Sequence, residues 1–172
     1  EYDLTEVPGI DDLHRPCSEI KEALRLMAQA YGARESFFLV NGATSGIHAL
    51  FMSLPGEKPR VLISRSAHRS LWGGMVLSGA VPRYIPCDYD VQTGLPLALD
   101  PNIIENELEA DPETKAVFLT SPNYFGTSLK IADMAGKARE RGALLLVDEA
   151  HGAHFAFHPA YPRPALSQGA DA

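Results

Sequence analysis

A chain of 172 residues, 45% of them hydrophobic and 22% charged, is long and apolar enough for one globular domain with its own core. Its formal net charge of -7, with no dense Lys/Arg cluster, excludes the basic footprint that nucleic acid and anionic membrane surfaces require. No apolar run approaches the roughly 20 residues of a membrane span and no charged-then-apolar leader opens the sequence, which points to a cytoplasmic protein without a membrane partner.

The first helix is expected from about Ser18 to Tyr31, where Ile20, Ala23, Leu24, Met27 and Tyr31 form one stripe and Gly32 gives a stop. Phe37 to Val40 reads as a short strand running into Asn41-Gly42-Ala43-Thr44-Ser45-Gly46, after which Ile47, Ala49, Leu50 and Leu54 suggest a helix. The same strand-then-helix order returns at Arg60 to Ile63 followed by Leu71 to Leu77, and at Ala116 to Leu119 followed by Ile131 to Arg141, which Gly142 ends. Pro82 to Pro86 reads as a shorter strand, and Leu144 to Val147 as a buried one that delivers Asp148 at its carboxyl end. Apolar strands alternating with helices imply an α/β fold: three layers, α/β/α, around a mostly parallel central sheet. Pro159 to Pro164 reads as an irregular surface loop. Cys17 and Cys87 form no Cys-x-x-Cys pair and are expected as reduced thiols. Glu1 in place of an initiator Met, and a stop at Gly169-Ala170-Asp171-Ala172 where a new element is starting, read as an excerpt of a longer protein.

In open α/β sheets, ligands sit beyond the carboxyl ends of the strands, so the residues that follow each apolar run are the informative ones. Asn41 to Gly46 offers two hydroxyls and several backbone N–H groups at the positive end of a helix dipole, a phosphate site; taken alone it is equally an ordinary N-cap with glycines in a tight turn. The segment also imitates a short-chain dehydrogenase signature, but His48 stands where the third glycine belongs, and Tyr124 has Ser128 where that chemistry needs a lysine. Leu146 to His151 imitates the acidic box of a helicase, yet no phosphate loop precedes it: Gly136-Lys137 lies inside a predicted helix and runs into Ala138. His151, His154 and His158 lie close together in sequence, but Gly152 and Pro159 break the helix that a zinc signature needs, so no metal is expected.

One chemistry reconciles these groups. Pyridoxal 5'-phosphate (PLP) needs a phosphate cup, an acid against its pyridine nitrogen, a flat group against its ring and a lysine for the Schiff base. Thr44 and Ser45 would form the cup, Asp148 would keep the ring nitrogen protonated, and His68, after a third strand end, would stack on the ring. Alone, a histidine at such a strand-helix junction is more often a cap or a surface residue, so the role of His68 depends on its company.

In order, Thr5-Glu6-Val7-Pro8-Gly9-Ile10-Asp11-Asp12-Leu13-His14, Phe38 to Gly42 with its hydroxyl pair, Ala67-His68-Arg69-Ser70, Thr120-Ser121-Pro122-Asn123-Tyr124-Phe125-Gly126 and Val147-Asp148-Glu149-Ala150-His151-Gly152 resemble the blocks of the Orn/Lys/Arg decarboxylases, which have an aminotransferase-like PLP fold. The resemblance covers essentially the whole chain. It implies the large, PLP-binding domain of such an enzyme over residues 1–172, incomplete and without the C-terminal domain. It also implies cofactor contacts for Thr44, Ser45, His68, Ser121, Asp148, Ala150 and His151, with Asp148 and His68 as the catalytic pair. The family's Schiff-base lysine lies in a Ser-x-His-Lys segment just beyond a Gly-Ala-Asp like Gly169-Ala170-Asp171, and Lys21, Lys58, Lys115, Lys130 and Lys137 are all in other contexts. The expected activity of the complete enzyme is decarboxylation of lysine, ornithine or arginine to the amine and CO2, in a homo-oligomer, with the excerpt alone inactive. The alternatives are an aminotransferase or other PLP enzyme of this fold, separable by keto-acid formation, and a non-catalytic scaffold that lacks the lysine.

Overall fold

The stripe at Ile20 to Tyr31 does form a helix, α1 (Glu19–Tyr31), and its capping shows why it starts and stops there. The structure is a computed structural model that describes residue 7 and residues 9–172, so Thr5, Glu6 and Pro8 of the opening block lie outside the described residues. Two compact units divide the chain, Glu1–Val40 and Asn41–Ala172. In the first, the Asp11 carboxylate accepts the backbone N–H groups of Cys17, Ser18 and Ile20 at the entrance to α1. The Ser18 and Ile20 N–H groups are among the donors that a helix start leaves unpaired. At the other end Gly32 adopts the left-handed conformation, φ 68°, and the Ala33 N–H reaches back to the Ala28 carbonyl, closing the helix.

Phe37 to Val40 does not form the expected strand. Their side chains are 68, 43, 43 and 79% exposed, and among the described residues no backbone pairs with them in a ladder. An apolar run supplies the side chains of a strand but not its partner, and without the partner's hydrogen bonds there is no strand.

The second unit begins with α2 (Gly42–Ser53), followed by β1 (Arg60–Ser64), α3 (Ser70–Ser78), β2 (Val81–Ile85), α4 (Pro101–Ala110), β3 (Thr114–Thr120), α5 (Ile131–Glu140) and β4 (Leu144–Asp148). The sheet order is β2-β1-β3-β4 and every pairing is parallel. Pro82 has no N–H to give to a ladder and sits in β2, at an edge of the sheet. On the outer side of β4, Asp171 donates its N–H to the Leu145 carbonyl, and the Leu145 N–H donates to the Asp171 carboxylate.

Alternation along the strands divides the core in two. Val61, Ile63, Ala116, Phe118 and Leu146 face one way and pack with Ile47, Phe51, Leu71 and Met75 of α2 and α3. Leu62, Val117, Leu119 and Leu145 face the other way and pack with Ile104, Leu108, Ile131, Met134 and Ala138 of α4 and α5. Helices therefore cover both faces of a parallel sheet, and the α/β/α expectation holds. α4 falls outside the sequence expectations, although its start is signalled: Asp100 accepts the Asn102 N–H at 3.0 Å and Pro101 takes the first helical position, where its missing N–H costs nothing. Among the described residues no helix is long and apolar enough to cross a membrane.

Candidate functional site

The apolar rows of the α2/α3 side turn polar at the carboxyl end of the sheet. Along β3 the row runs Ala116, Phe118, Thr120, and along β4 it runs Leu146, Asp148, with Thr120 and Asp148 directly paired in register. There a cleft of about 340 Å³ opens, lined by Asn41, Gly42, Ala43 and Thr44 from the start of α2, by Ser66 and His68 after β1, and by Thr120, Asp148, Ala150 and His151. Ile47, Ser70 and Tyr124 complete it.

Asn41 to Gly46 is not a loop ahead of a helix; α2 starts at Gly42, so this segment is the first helical turn. The unpaired N–H groups of that turn and the positive end of the dipole belong to the cleft wall, which suits an anionic group. Thr44 lines the cleft. Ser45 does not, because its hydroxyl donates to the Gly42 carbonyl at 2.8 Å within the helix.

His68 lies in the turn that enters α3. Its Nδ1 accepts the Ser70 N–H at 3.3 Å and lies 2.9 Å from the Ser70 hydroxyl, so the ring is fixed by its own cap. An Nδ1 that accepts leaves Nε2 to carry the proton. Asp148 Oδ1 accepts the Ala150 N–H at 3.2 Å, an Asx-type turn that leaves the rest of the carboxylate free in the cleft. Ser121, by contrast, is buried outside the cleft: its hydroxyl accepts the Leu129 N–H at 3.0 Å, and its N–H donates to the Asp148 carbonyl. It holds the strand end that carries Asp148.

Beside Asp148, the half-buried Glu149 turns away and accepts the Ala165 N–H with both oxygens, at 3.0 and 3.2 Å, while burial pushes its carboxyl up from the ordinary value. Gly152 is needed next to it, since a Cβ there would come within 2.8 Å of both Glu149 Cγ and Pro122 Cδ. His151 stands edge-on to the exposed Tyr124 ring, at a centroid distance of 6.0 Å, whereas His154 and His158 pack against Tyr161 away from the cleft. Of the sequence-predicted residues, the fold thus brings together Thr44, His68, Asp148, Ala150 and His151, and leaves Ser45 and Ser121 outside. Sequence reading did not single out Ser66, Ser70 or Thr120. The period-2 alternation of β3 marks Thr120, but only once its register with β4 is known.

None of the five lysines lines the cleft, and Lys137 is engaged by Glu105 across α4 and α5.

The chain is 43% identical over 169 residues to the uncharacterised protein YaaO of Bacillus subtilis (strain 168), a match covering 98% of this chain and 35% of that protein. It is 36% identical over 169 residues to an arginine decarboxylase of Halalkalibacterium halodurans, covering 98% of this chain and 34% of that one. The chain therefore spans about a third of the length of the curated relatives it matches. Its fold is similar to that of N-succinyldiaminopimelate aminotransferase from Mycobacterium tuberculosis, with a TM-score of 0.64 and 22% identity over 88% of this chain and 39% of that one. This likeness shows a shared fold, the three-layer α/β/α arrangement around a parallel sheet. A family model for the major domain of Orn/Lys/Arg decarboxylases matches residues 1–171, and the chain belongs to that family.

Proposed function

We propose that this chain is the cofactor-binding part of a PLP-dependent decarboxylase that converts a basic amino acid, lysine, ornithine or arginine, to its amine and CO2. The observation that carries the reading is the meeting, in one cleft, of a helix start with Thr44, a carboxylate at a buried strand end, Asp148, and an imidazole, His68. The donor set fits PLP. A phosphate monoester suits the free N–H groups and hydroxyl at the start of α2, and a pyridinium suits the unshared part of the Asp148 carboxylate.

When bound, PLP would supply an electron sink for the decarboxylation. The work of the chain is to hold and bias that group. Thr44 and the first-turn N–H groups bind the phosphate and fix its position. Asp148, anchored by the Ala150 N–H, keeps a proton on the ring nitrogen. His68, locked by Ser70, and the small Ala150 side chain offer flat contact to the ring.

The test is a pair of substitutions in the complete enzyme. Asp148→Asn preserves shape and removes charge, so it should fold and bind PLP while turnover falls by orders of magnitude, a loss of roughly 3 kcal/mol or more of transition-state stabilisation. Thr44→Ala removes a hydrogen bond to a charged acceptor worth about 1.5–3 kcal/mol, so it should weaken PLP binding more than it lowers turnover at saturating cofactor. PLP titration, melting temperature and CO2 release from the three amino acids separate the two effects. Near-normal turnover in a folded, PLP-saturated Asp148→Asn enzyme refutes the assignment.

A further inference from the structure

Thr120 poses a problem that the proposed roles do not answer. It ends β3 on the row that begins Ala116 and Phe118, both buried beneath α2 and α3, and its hydroxyl oxygen is buried with no hydrogen-bond partner. A buried hydroxyl without a partner is destabilising, and valine would offer the same shape without that cost. A polar group in such a place is informative when something in reach can use it. The residue paired with it in register is Asp148, on a parallel strand whose backbone runs about 4.8 Å away. Both lie on the same face and line the same cleft. A carboxylate has about four acceptor positions, and among the described groups only the Ala150 N–H is bonded to the Asp148 side chain.

We propose that Thr120 is a positioning residue for Asp148: with the cofactor in the cleft, its hydroxyl donates to the Asp148 carboxylate and holds that group against the ring nitrogen. The inference rests on the proposed cofactor. Its two parts, a rotation of the Thr120 side chain and a bond to Asp148, involve only groups that the sheet already places side by side. The Ala150 N–H fixes one side of the carboxylate and the Thr120 hydroxyl fixes another, so the orientation no longer depends on a single contact from a turn.

The experiment compares Thr120→Val, Thr120→Ser and Asp148→Asn in the complete protein, with pyridoxine 5'-phosphate as a probe that has no aldehyde and so cannot react with a lysine. Three quantities are read: probe affinity, melting temperature, and the pH at which the bound ring loses its nitrogen proton, followed by absorbance. Thr120→Val should melt at or above the wild-type temperature, yet move the ring titration about one pH unit lower, a tenfold loss of proton affinity. Thr120→Ser should restore it. Adding Thr120→Val to Asp148→Asn should change the titration no further, because the two act through one contact. An unchanged titration in Thr120→Val overturns the proposal whatever the affinity does: with weakened binding the hydroxyl touches the ligand directly, and with a lowered melting temperature its role is structural. A titration that moves upward overturns it too. A wild-type protein that binds neither PLP nor the probe removes the proposed function and this inference together, whereas normal wild-type binding with a silent Thr120→Val removes only the inference.

Discussion

Asp11 gathers four backbone N–H groups, those of Asp12, Cys17, Ser18 and Ile20, onto one carboxylate. Those bonds hold its carboxyl well below the usual range, with the Cys17 bond contributing most, and the side-chain hydrogen bond to that carboxylate, followed by its negative charge, pushes the Cys17 thiol up. An acid whose folded pKa is depressed stabilises the fold fully above its unfolded value, near 3.9, and that contribution is lost only as pH falls through the lower folded value. The amide proton shifts of Cys17, Ser18 and Ile20 should therefore titrate together in NMR spectra with a midpoint clearly below pH 3.9. In Asp11→Ala that shared titration should vanish and the first turn of α1 should lose helicity at neutral pH. A shared midpoint at or above pH 3.9 in the wild type would mean that the carboxylate does not hold these amides. At this scale sequence reading had a limit: Asp11 sat inside a recognised block, but its tie to a helix start several residues later depends on a turn that no local pattern spells out.

Whole elements were legible where alternation or helical periodicity left one answer. The apolar strands β1, β3 and β4, the helices α1, α2, α3 and α5 and the carboxyl-end position of Asp148 follow from that logic. Phe37 to Val40 failed because strandness is a property of a pair, and α4 was missed although Asp100-Pro101 announces it. The meeting of α2 and α3 was also beyond the pattern, and it turns on Gly74. A Cβ there would stand 2.3 Å from Cδ2 of Phe51, whose fully buried ring is stacked on Phe118 at a centroid distance of 4.1 Å. Gly74→Ala must push that stack and should cost about 1–3 kcal/mol. In α5 the opposite holds, since nothing lies within 4 Å of a Cβ built at Gly136. Gly136→Ala should stabilise the protein by about 0.5–1 kcal/mol, the helix-interior difference between the two residues. Denaturant melts of both variants check the pair, and equal effects would show that the α2/α3 contact is looser than the structure has it.

At the scale of the whole molecule, the candidate site was legible as a set of strand ends and illegible as a set of hydroxyls. Thr44, His68, Asp148, Ala150 and His151 line one cleft because the parallel order β2-β1-β3-β4 puts every carboxyl end on one side. Ser45 and Ser121 were indistinguishable from them in sequence, yet one hydroxyl is spent inside α2 and the other on the Leu129 N–H. The same placement decides what the lysines can do. Lys137 is held by Glu105, Lys115 lies 3.8 Å from Glu113, and Lys21, Lys58 and Lys130 are absent from the cleft wall. A lysine that captures an aldehyde specifically must stand beside the bound group, because proximity is what raises its reaction above that of ordinary surface amines. This chain, incubated with PLP and reduced with borohydride, should therefore carry only sparse label scattered over its five lysines when its peptides are mapped by mass spectrometry. Stoichiometric label on one of them, abolished by Thr44→Ala, would place a nucleophile in the cleft that the fold keeps away from it.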